Sequence, residues 1–417
     1  MTEAPERLPY ESLLAAGYWG APFVVERLLY IRERLFSRRV ERHQWRPLNG
    51  VLMGDRTRPN HAKPPAILIG MHWFAVGGAE TLARDCIEWA QDLGLRVFVV
   101  AERSGGEPPE GVTVLDWHDR PRSEWGGLVQ DIVSQENIVA VHIHHCVPLY
   151  AALPVIRRKF PWVRTYDSTH IVEHMDGGFV RISGVWSGYL DRSHVISGKL
   201  VNFYRDRFDR PVDLGRMIEW RRAKPVRMQP RQTALRVAFV GRMAYQKRPV
   251  TALWAMVRLA RWGRKNGVDL RFDMVGEGPF LRFVRQIAEA KGLSDRITFH
   301  PSGADVRGVL QGADILILPS ANEGLALVAI EAIEEGVIPI ATDVGAMGEL
   351  LSQDLLTPPE PAQTVRGIVR KVDRLWRDGG FLEKQALTLR KNLEALAAEP
   401  SAKDVITGYY REAMGVK

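Results

Sequence analysis

The sequence is poor in cysteine, with only Cys86 and Cys146 among its 417 residues. Two cysteines so far apart exclude a disulfide framework and indicate a reducing compartment. No uninterrupted apolar run is long enough to span a bilayer, and the first ten residues lack the basic start and apolar core of a secretory signal. These absences predict a cytoplasmic protein.

Several motifs of nucleotide and metal chemistry are also missing. The patterns G-x-G-x-x-G and G-x-x-x-x-G-K-[ST] do not occur, which argues against a dinucleotide-dependent dehydrogenase and a P-loop ATPase. No D-x-D follows a predicted strand, where it would hold a divalent cation against a diphosphate. The run VHIHHC at 141–146 offers imidazoles and a thiol, but no second segment supplies ligands at zinc spacing. We therefore expect no metal and no cofactor.

Positive charge, in contrast, is abundant. The formal net charge is +8 and the pI is near 9.5, so an anionic partner is favoured: phosphate, a nucleic acid or a lipid surface. The chain has no recognisable nucleic-acid module, which disfavours the second. Residues 11–46 combine apolar residues at helical spacing with arginines, the pattern of a basic amphipathic helix. Such a helix either packs on its own protein or lies on an anionic membrane, here on its cytoplasmic face.

Beyond residue 60 the chain alternates apolar strands with helices, in two rounds. Strands that are apolar on both faces are typical of parallel sheets covered by helices on both sides. This rhythm predicts an α/β fold of two tandem Rossmann-like, doubly wound domains facing a cleft, with an extra N-terminal helical segment. The predicted parts are a basic helical extension at 1–60, a first Rossmann-like domain at 61–218, a linker at 219–232, a second Rossmann-like domain at 233–398, and a C-terminal helix at 399–417 that crosses back to the first domain.

The loops that follow strands carry the candidate chemistry, because ligands of doubly wound sheets bind beyond the carboxyl ends of the strands. Gly77 and Gly78 stand between a strand and a helix, where uncovered backbone amides suit a phosphate. Arg242 and Lys247 occupy the corresponding loop of the second domain, where two cations suit a diphosphate. The alternatives are an ordinary tight turn and a solvated basic loop.

Two further strand exits have a similar composition. Gly276 and Gly278 in VGEGPF precede a helix, so that the backbone is able to approach a ligand closely, or simply to turn. His170 lies in RTYDSTHIVEH, a dense group of polar residues at the end of a strand. An imidazole there is able to donate a hydrogen bond or carry a proton.

The segment ANEGLALVAIEA, 321–332, holds Glu323 and Glu331 on either side of an apolar run. We expect a helix from 325 to 336, with Glu323 at its mouth and Glu331 two turns inside. Eight residues of helix separate the two carboxylates by roughly 12 Å along the axis. That distance is too long for an acid/base pair on one bond and suits two contacts along one elongated ligand. Alternatively, Glu323 only complements the helix dipole and Glu331 faces solvent.

Taken together, these segments resemble the retaining glycosyltransferases of the GT-B fold, specifically family 4. The resemblance covers roughly 66–350 and is carried best by the second domain, through VGRMAYQKRP, VGEGP, ADILILPSANEGLALVAIEA and GVIPIATDVGAMGEL. Glu323 and Glu331 match the E-x7-E motif of that family. The chain departs from the usual pattern at Leu325 and Ala326, where Phe-Gly is common, and at S-T-H around His170, where V-H-D is common.

The resemblance implies a role for each matching residue. Arg242 and Lys247 would bind the diphosphate of a nucleotide sugar, Glu331 the ribose hydroxyls, and Glu323 the donor sugar. His170 would lie near the transferred sugar, so Glu323, His170, Arg242 and Lys247 form the implied catalytic set. The other implied donor-binding residues are glycines and backbone amides: Gly77, Gly78, Gly276, Gly278, Gly324, Leu325 and Ala326.

The expected activity is metal-independent transfer of a sugar, with retention of configuration. The expected donor is a nucleotide-diphosphate sugar, and the expected acceptor is a glycan or a lipid-linked saccharide. The setting would be cell-surface polysaccharide or glycolipid biosynthesis, with residues 11–46 contacting an anionic membrane. Two alternatives share the fold: a sugar-nucleotide epimerase and a non-catalytic scaffold of a membrane assembly. The sequence does not select the sugar, the nucleotide or the acceptor.

Overall fold

The computed structural model describes residues 24–29, 31–32, 59–72, 78–102, 108–117, 120–172, 178–218 and 223–416. The chain divides into two compact units. The C-terminal unit consists of Trp220–Leu396 together with the described residues of Met1–Leu35, and the N-terminal unit consists of Phe36–Glu219 and Ala397–Lys417. Each unit contains one parallel sheet with helices packed on it, as predicted from the alternation of strands and helices.

The N-terminal unit is built on a seven-stranded sheet in the order β3-β2-β1-β4-β5-β6-β7. Its strands are β1 (Ala66–Met71), β2 (Arg96–Ala101), β3 (Val112–Asp116), β4 (Ile138–His144), β5 (Arg164–Thr169), β6 (Arg192–Val195) and β7 (Asp213–Leu214). Its helices are α1 (Gly78–Asp92), α2 (Arg122–Gln135), α3 (Val147–Lys159), α4 (Phe179–Trp186), α5 (Gly198–Phe208) and, from the end of the chain, α13 (Ala402–Met414).

Strand β1 lies inside this sheet, and all six of its residues are buried. It pairs in parallel with β2 on one side and β4 on the other, so the direction of strand succession reverses at β1. Ile67 and Ile69 face the core formed with α1 and α13, while Ala66 and Leu68 face the core on the opposite side of the sheet. Burial on both faces explains why AILIGM has no polar alternation.

The C-terminal unit is built on a six-stranded sheet in the order β10-β9-β8-β11-β12-β13. Its strands are β8 (Ala234–Val240), β9 (Asp269–Val275), β10 (Ile297–His300), β11 (Ile315–Leu318), β12 (Ile338–Thr342) and β13 (Leu356–Thr357). Its helices are α6 (Pro249–Asn266), α7 (Leu281–Ala290), α8 (Val306–Gly312), α9 (Leu327–Glu334), α10 (Met347–Leu350), α11 (Pro361–Arg377) and α12 (Gly379–Ala397).

Residues 223–232, predicted as part of a linker, form neither helix nor strand but are held closely to the C-terminal unit. The amide of Lys224 donates to the carbonyl of Glu334, and the amide of Arg227 donates to the carbonyl of Gly336. The Arg227 guanidinium also donates to the carbonyls of Leu310 and Ala313. The Arg227 cation therefore binds carbonyls at the C-terminal end of α8, where cations are favoured.

The described residues of the N-terminal extension are helical and pack on their own protein. Glu26 and Leu29 are buried, and the Thr251 hydroxyl on α6 donates a hydrogen bond to the Glu26 carboxylate. The opposite side of the same helix is exposed at Val24, Leu28 and Ile31. The rest of the predicted amphipathic helix at 11–46 lies outside the described residues. Within the described part of the chain, no helix combines the length and apolar character needed to cross a membrane.

Candidate active site in the donor loops

The loop after β8 carries two of the predicted cations and leads directly into α6. Residues Tyr245–Lys247 form one turn of 3-10 helix, and α6 begins at Pro249. This short turn directs the Lys247 side chain toward the loop after β11, where its ammonium lies 2.6 Å from a carboxylate oxygen of Glu323. The structure therefore brings together two residues that are 76 positions apart.

This ion pair is largely withdrawn from solvent. The side chains of Lys247 and Glu323 are 23% and 6% exposed. The Ser320 hydroxyl donates a further hydrogen bond of 2.7 Å to the same carboxylate oxygen. Two donors on one buried oxygen compensate for its lost hydration. An anion bound at this loop would compete with Glu323 for Lys247.

Arg242 lies in the same loop but remains exposed. Its guanidinium donates a hydrogen bond of 3.3 Å to the side chain of Gln246. Gln246 also links this loop to the loop after β11, since its carbonyl accepts from the amide of Ala321 at 2.7 Å. Sequence reasoning missed Gln246 and Ser320, because an amide and a hydroxyl in loops carry no distinctive pattern until their partners are known.

Gly276 and Gly278 allow the loop after β9 to pass against the loop after β8. Both have a positive φ, +127° and +144°. A Cβ at Gly276 would lie 2.2 Å from the Gly241 carbonyl oxygen, and one at Gly278 would lie 2.7 Å from the Met243 carbonyl oxygen. The close approach that these glycines permit in the structure is therefore to the Arg242 loop. Their predicted contact with a donor stays a prediction.

The segment after Glu323 differs in one respect from the sequence prediction. Helix α9 begins at Leu327, and Ala326 is its N-cap, so Leu325 and Ala326 precede the helix. The predicted start at 325 was therefore two residues early. Gly324 accepts a hydrogen bond from the amide of Ala346 at 2.9 Å, which ties this exit loop to the loop after β12.

Glu331 lies inside α9 and is partly buried. Its backbone carbonyl accepts the amide of Glu335, as in a regular helix. The adjoining carboxylates have identified partners, since Arg307 binds both Glu334 and Glu335. The proposed contact of Glu331 with a ribose stays a prediction.

In the N-terminal unit, the predicted site residues follow strands β1 and β5 in the chain. Gly78 begins α1, whereas Gly77 lies outside the described residues. His170 directly follows β5 and is 3% exposed. Its ring lies 5.0 Å from that of His145 and 6.1 Å from that of His144. Burial lowers the pKa of His170 well below its usual range, and the neighbouring histidines add to this effect. His170 is therefore a neutral imidazole, and neither ring nitrogen has a partner among the described residues.

A second group of imidazoles forms a hydrogen-bonded chain inside the same unit. His142 on β4 bonds through Nδ1 to the Tyr410 hydroxyl at 2.7 Å and through Nε2 to the Ser168 hydroxyl at 2.9 Å. Ser168 in turn contacts His194, whose other nitrogen lies 3.0 Å from the Gly215 carbonyl oxygen. Burial lowers the pKa of His142 to about 3 and that of His194 to about 4. This chain connects α13 to the sheet.

Cys86, His142 and His144 are the described residues that come closest to a metal-ligand set. Their ligand atoms lie within 4.8 Å of one another, and all three side chains are buried. Because both nitrogens of His142 are engaged in hydrogen bonds, a metal ion would have to displace Tyr410 or Ser168. The residues present therefore favour the hydrogen-bonded chain, and the expectation of no metal stays a prediction.

Comparison with known proteins finds a family model that matches the part of the chain holding this site. Residues 221–393 match the family model of the glycosyl transferases group 1. A glycosyltransferase of Methanocaldococcus jannaschii, described as uncharacterized, is 22% identical over 306 residues, which are 71% of this chain and 74% of the relative. The 2-deoxystreptamine glucosyltransferase of Streptomyces kanamyceticus is 31% identical over 143 residues, 33% of this chain and 36% of that enzyme.

Solved structures show the same fold at low sequence identity. Sucrose-phosphate synthase from Thermosynechococcus elongatus superposes with a TM-score of 0.63 at 16% identity, over 85% of this chain and 100% of that chain. Anabaena HepE in complex with UDP-glucose superposes with a TM-score of 0.62 at 16% identity, over 84% of this chain and 99% of that chain. The chain therefore has the GT-B fold, and its residues 221–393 match the family model of the glycosyl transferases group 1.

Proposed function

We propose that this protein moves a sugar from a nucleotide-diphosphate sugar to a glycan or lipid-linked saccharide acceptor, with retention of configuration and without a metal. The observation that carries the proposal is the ion pair between Lys247 and Glu323, which sits where two strand exits of the C-terminal unit meet. The biosynthetic setting that fits such an acceptor is a cell-surface polysaccharide or a glycolipid.

The chemistry follows from what each side chain offers. As the bond between the sugar and the diphosphate breaks, negative charge grows on the leaving phosphate. Lys247, released from Glu323, and the exposed Arg242 would stabilise that charge in place of a metal ion. The backbone amides at Gly324, Leu325 and Ala326 would add donors from the exit loop.

The carboxylates have separate roles in this proposal. Glu323, once Lys247 has turned to the phosphate, would accept a hydrogen bond from a hydroxyl of the donor sugar. Its negative charge would also favour the positive character that the sugar acquires. Glu331 would bind the ribose hydroxyls. The acceptor would attack on the face that the nucleotide leaves, so the configuration at the anomeric carbon would be retained.

His170 has a limited part in this chemistry. Because its pKa lies well below its usual range, it is uncharged near neutral pH. We therefore propose that it binds a sugar hydroxyl through a hydrogen bond and supplies no positive charge. A buried imidazole with both nitrogens available within the described structure suits a neutral, polyhydroxylated ligand.

The relatives support the proposed class of donor but do not indicate a particular acceptor. HepE was crystallised with UDP-glucose, so a neighbour with this fold binds a nucleotide-diphosphate sugar. The molecules named for the similar glycosyltransferases differ, from 2-deoxystreptamine to D-inositol 3-phosphate. They therefore do not select an acceptor for this chain.

The direct test is a panel of nucleotide sugars. We expect one of them to raise the melting temperature, since a ligand at 100-fold its dissociation constant stabilises a protein by about 2.7 kcal/mol. That donor should release its nucleoside diphosphate in the presence of a lipid or glycan extract, and the product should keep the anomeric configuration by proton NMR. Conversion to an epimeric nucleotide sugar without an acceptor would instead identify an epimerase. An inverted product would contradict the retaining mechanism.

We also propose that the N-terminal helical segment, residues 24–29 and 31–32, contacts an anionic membrane. Val24, Leu28 and Ile31 follow one another at helical spacing and are 56%, 60% and 42% exposed. Arg27 is exposed beside them. An exposed apolar stripe bordered by arginine is the surface expected of an interfacial helix.

Vesicle sedimentation tests this contact without disturbing the packed side of the helix. Leu28→Glu should reduce binding to vesicles that contain anionic lipid by about tenfold, because it places a carboxylate in the apolar stripe. The matched control is Leu387→Glu on α12, where the leucine is 68% exposed in the same unit. Equal binding by Leu28→Glu and the wild type would remove the membrane contact from the proposal.

A further inference from the structure

Helix α6 begins immediately after the Lys247 loop and lacks a cap from its own sequence. Its N-cap is Arg248, which has a left-handed backbone, with φ +48° and ψ +57°, and whose side chain makes no capping bond. The first helical residue is Pro249, which has no amide hydrogen. The amides of the next positions therefore need an acceptor from elsewhere.

Glu26 supplies that acceptor from 225 positions earlier in the chain. Its carboxylate accepts a hydrogen bond from the hydroxyl of Thr251, and the backbone amide of the same residue lies near enough to lower the pKa of the carboxyl. Thr251 is the third residue of α6, the position whose amide an N-cap side chain normally binds. Glu26 is 2% exposed, so this bond is made in a nearly dry environment. The N-terminal helical segment thus caps α6 in trans.

The contact reaches the donor loop through Arg248. Arg248 is fully buried, and its guanidinium donates to the Pro359 carbonyl. It also lies close enough to Glu26 to lower the pKa of that carboxyl. Arg248, the residue next to Lys247, is therefore bound to the carbonyl of Pro359 and attracted by the carboxyl of Glu26. Its left-handed backbone is unfavourable for an arginine and persists because its surroundings fix it.

We infer that Glu26 is a positioning residue of the donor site: by capping α6, it fixes the loop that presents Lys247 to the nucleotide sugar. The inference rests on the proposed function, in which Lys247 binds the diphosphate. In this inference, the N-terminal extension helps to position the Lys247 loop of the C-terminal unit, in addition to any membrane contact.

The protonation of Glu26 supports this reading. Burial raises its pKa to about 7, while Thr251 and Arg248 lower it, and Arg248 is the charged group that acts on it among the described residues. A carboxyl with a raised pKa stabilises the folded state fully below its unfolded value, and this contribution is lost as pH rises through about 7. The contact between the N-terminal helical segment and α6 should therefore weaken from pH 6 to pH 8.

Two variants of the full-length protein distinguish the hydrogen-bond acceptor of Glu26 from its negative charge. Glu26→Gln keeps an acceptor oxygen and removes the charge, whereas Glu26→Ala removes the acceptor. Hydrogen exchange of peptides covering 244–254, measured without ligand, should be faster in Glu26→Ala and unchanged in Glu26→Gln. The dissociation constant of UDP, GDP or ADP, whichever binds the wild type, should rise about fivefold in Glu26→Ala, the effect of losing one cap. Glu26→Gln should restore wild-type affinity and abolish its dependence on pH between 6 and 8.

Arg27→Ala is the matched control, because Arg27 is adjacent on the exposed side of the same helix. It should change neither the exchange nor the affinity. Unchanged exchange in Glu26→Ala would overturn the cap. Faster exchange with unchanged nucleotide affinity would overturn the positioning role. If no nucleotide binds the wild type, the proposed function fails and the positioning role with it, whereas the exchange data still decide the cap.

Discussion

The two sheets have the same parallel topology, yet their polar residues handle charge in opposite ways. At the strand exits of the C-terminal unit, Lys247 and Glu323 form an ion pair with side chains 23% and 6% exposed. In the N-terminal unit, His142, His194 and His170 are deeply buried and kept neutral by their surroundings. At these positions, the C-terminal unit holds a pair of opposite charges and the N-terminal unit holds neutral imidazoles.

The difference teaches which substitutions should affect activity and which should affect folding. A cation held by an exchangeable carboxylate is available to a phosphate, so changing it should reduce turnover and leave the fold intact. An imidazole whose nitrogens both bond to buried hydroxyls is committed to the structure, so changing it should reduce stability. The following substitutions and pH change test this contrast between activity and stability.

The largest expected effect is on turnover. Lys247→Ala should lower kcat by about 1,000-fold, because it removes a cation that stabilises the leaving diphosphate. The melting temperature should fall, because Glu323 then keeps only the Ser320 hydroxyl on this oxygen, but the protein should stay folded. Lys224→Ala is the control, since Lys224 also forms an ion pair, with Glu335, in the same unit. Initial rates of nucleoside diphosphate release measure the effect, and equal rates in the two variants would break the contrast.

The next effect is on the geometry of the donor loops. Gly276→Ala should lower the free energy of unfolding by about 3 kcal/mol, because a Cβ would lie 2.2 Å from the Gly241 carbonyl oxygen at φ +127°. Gly303→Ala, where a Cβ would meet open space, should be nearly neutral. Urea unfolding distinguishes them. A Gly276→Ala protein as stable as Gly303→Ala would show that the two loops are not tightly packed.

A smaller effect is expected from the hydrogen-bonded chain of the N-terminal unit. His142→Leu should destabilise the protein by about 2 kcal/mol, because the Tyr410 and Ser168 hydroxyls each lose a partner in a buried site. His61→Leu, at an exposed position of the same unit, is the control. Thermal unfolding followed by circular dichroism measures the difference. Loss of nucleotide affinity in His142→Leu without loss of stability would show that His142 serves ligand binding and not stability.

The smallest expected effect per residue is the change of the free energy of unfolding with pH. Burial lowers the pKa of His142 to about 3 and that of His194 to about 4. A histidine with a depressed pKa contributes stability that is present above its unfolded value and is lost as pH falls toward the folded value. Each should cost about 1 kcal/mol of stability between pH 7 and pH 5.5. Melting temperatures of Glu26→Gln recorded across this range test it, because this variant lacks the opposite pH dependence of the Glu26 carboxyl, and a Tm that rises toward pH 5.5 would contradict neutral burial.

The sequence predicted the parts of the fold that have strong local patterns. The apolar runs at β1, β4, β8 and β11 identify themselves, because strands buried on both faces need apolar residues at every position. Strand β3 was missed since its residues are only partly buried, as at the edge of a sheet. The two-residue strands β7 and β13 are too short for any periodic signal.

The residues of the candidate site, too, were predicted only where the local sequence pattern is distinctive. Arg242, Lys247 and Glu323 were predicted because charged residues at strand exits stand out; the structure brings Lys247 and Glu323 into contact, and their roles stay predictions. Glu26, Ser320 and Gln246 were not found. The partner of Glu26 is 225 positions away, and no local pattern reports a contact of that separation. The predicted start of α9 was early because Leu325 and Ala326 favour helix, whereas the tie between Gly324 and Ala346 delays it.

The most direct test of the central claim is a crystal structure with the nucleotide that stabilises the protein most. The account predicts that the diphosphate lies against the loop after β8, with Lys247 turned from Glu323 to a phosphate oxygen. Glu323 would then keep its bond to Ser320 and face the sugar. A diphosphate bound elsewhere, with the Lys247–Glu323 ion pair intact, would contradict it.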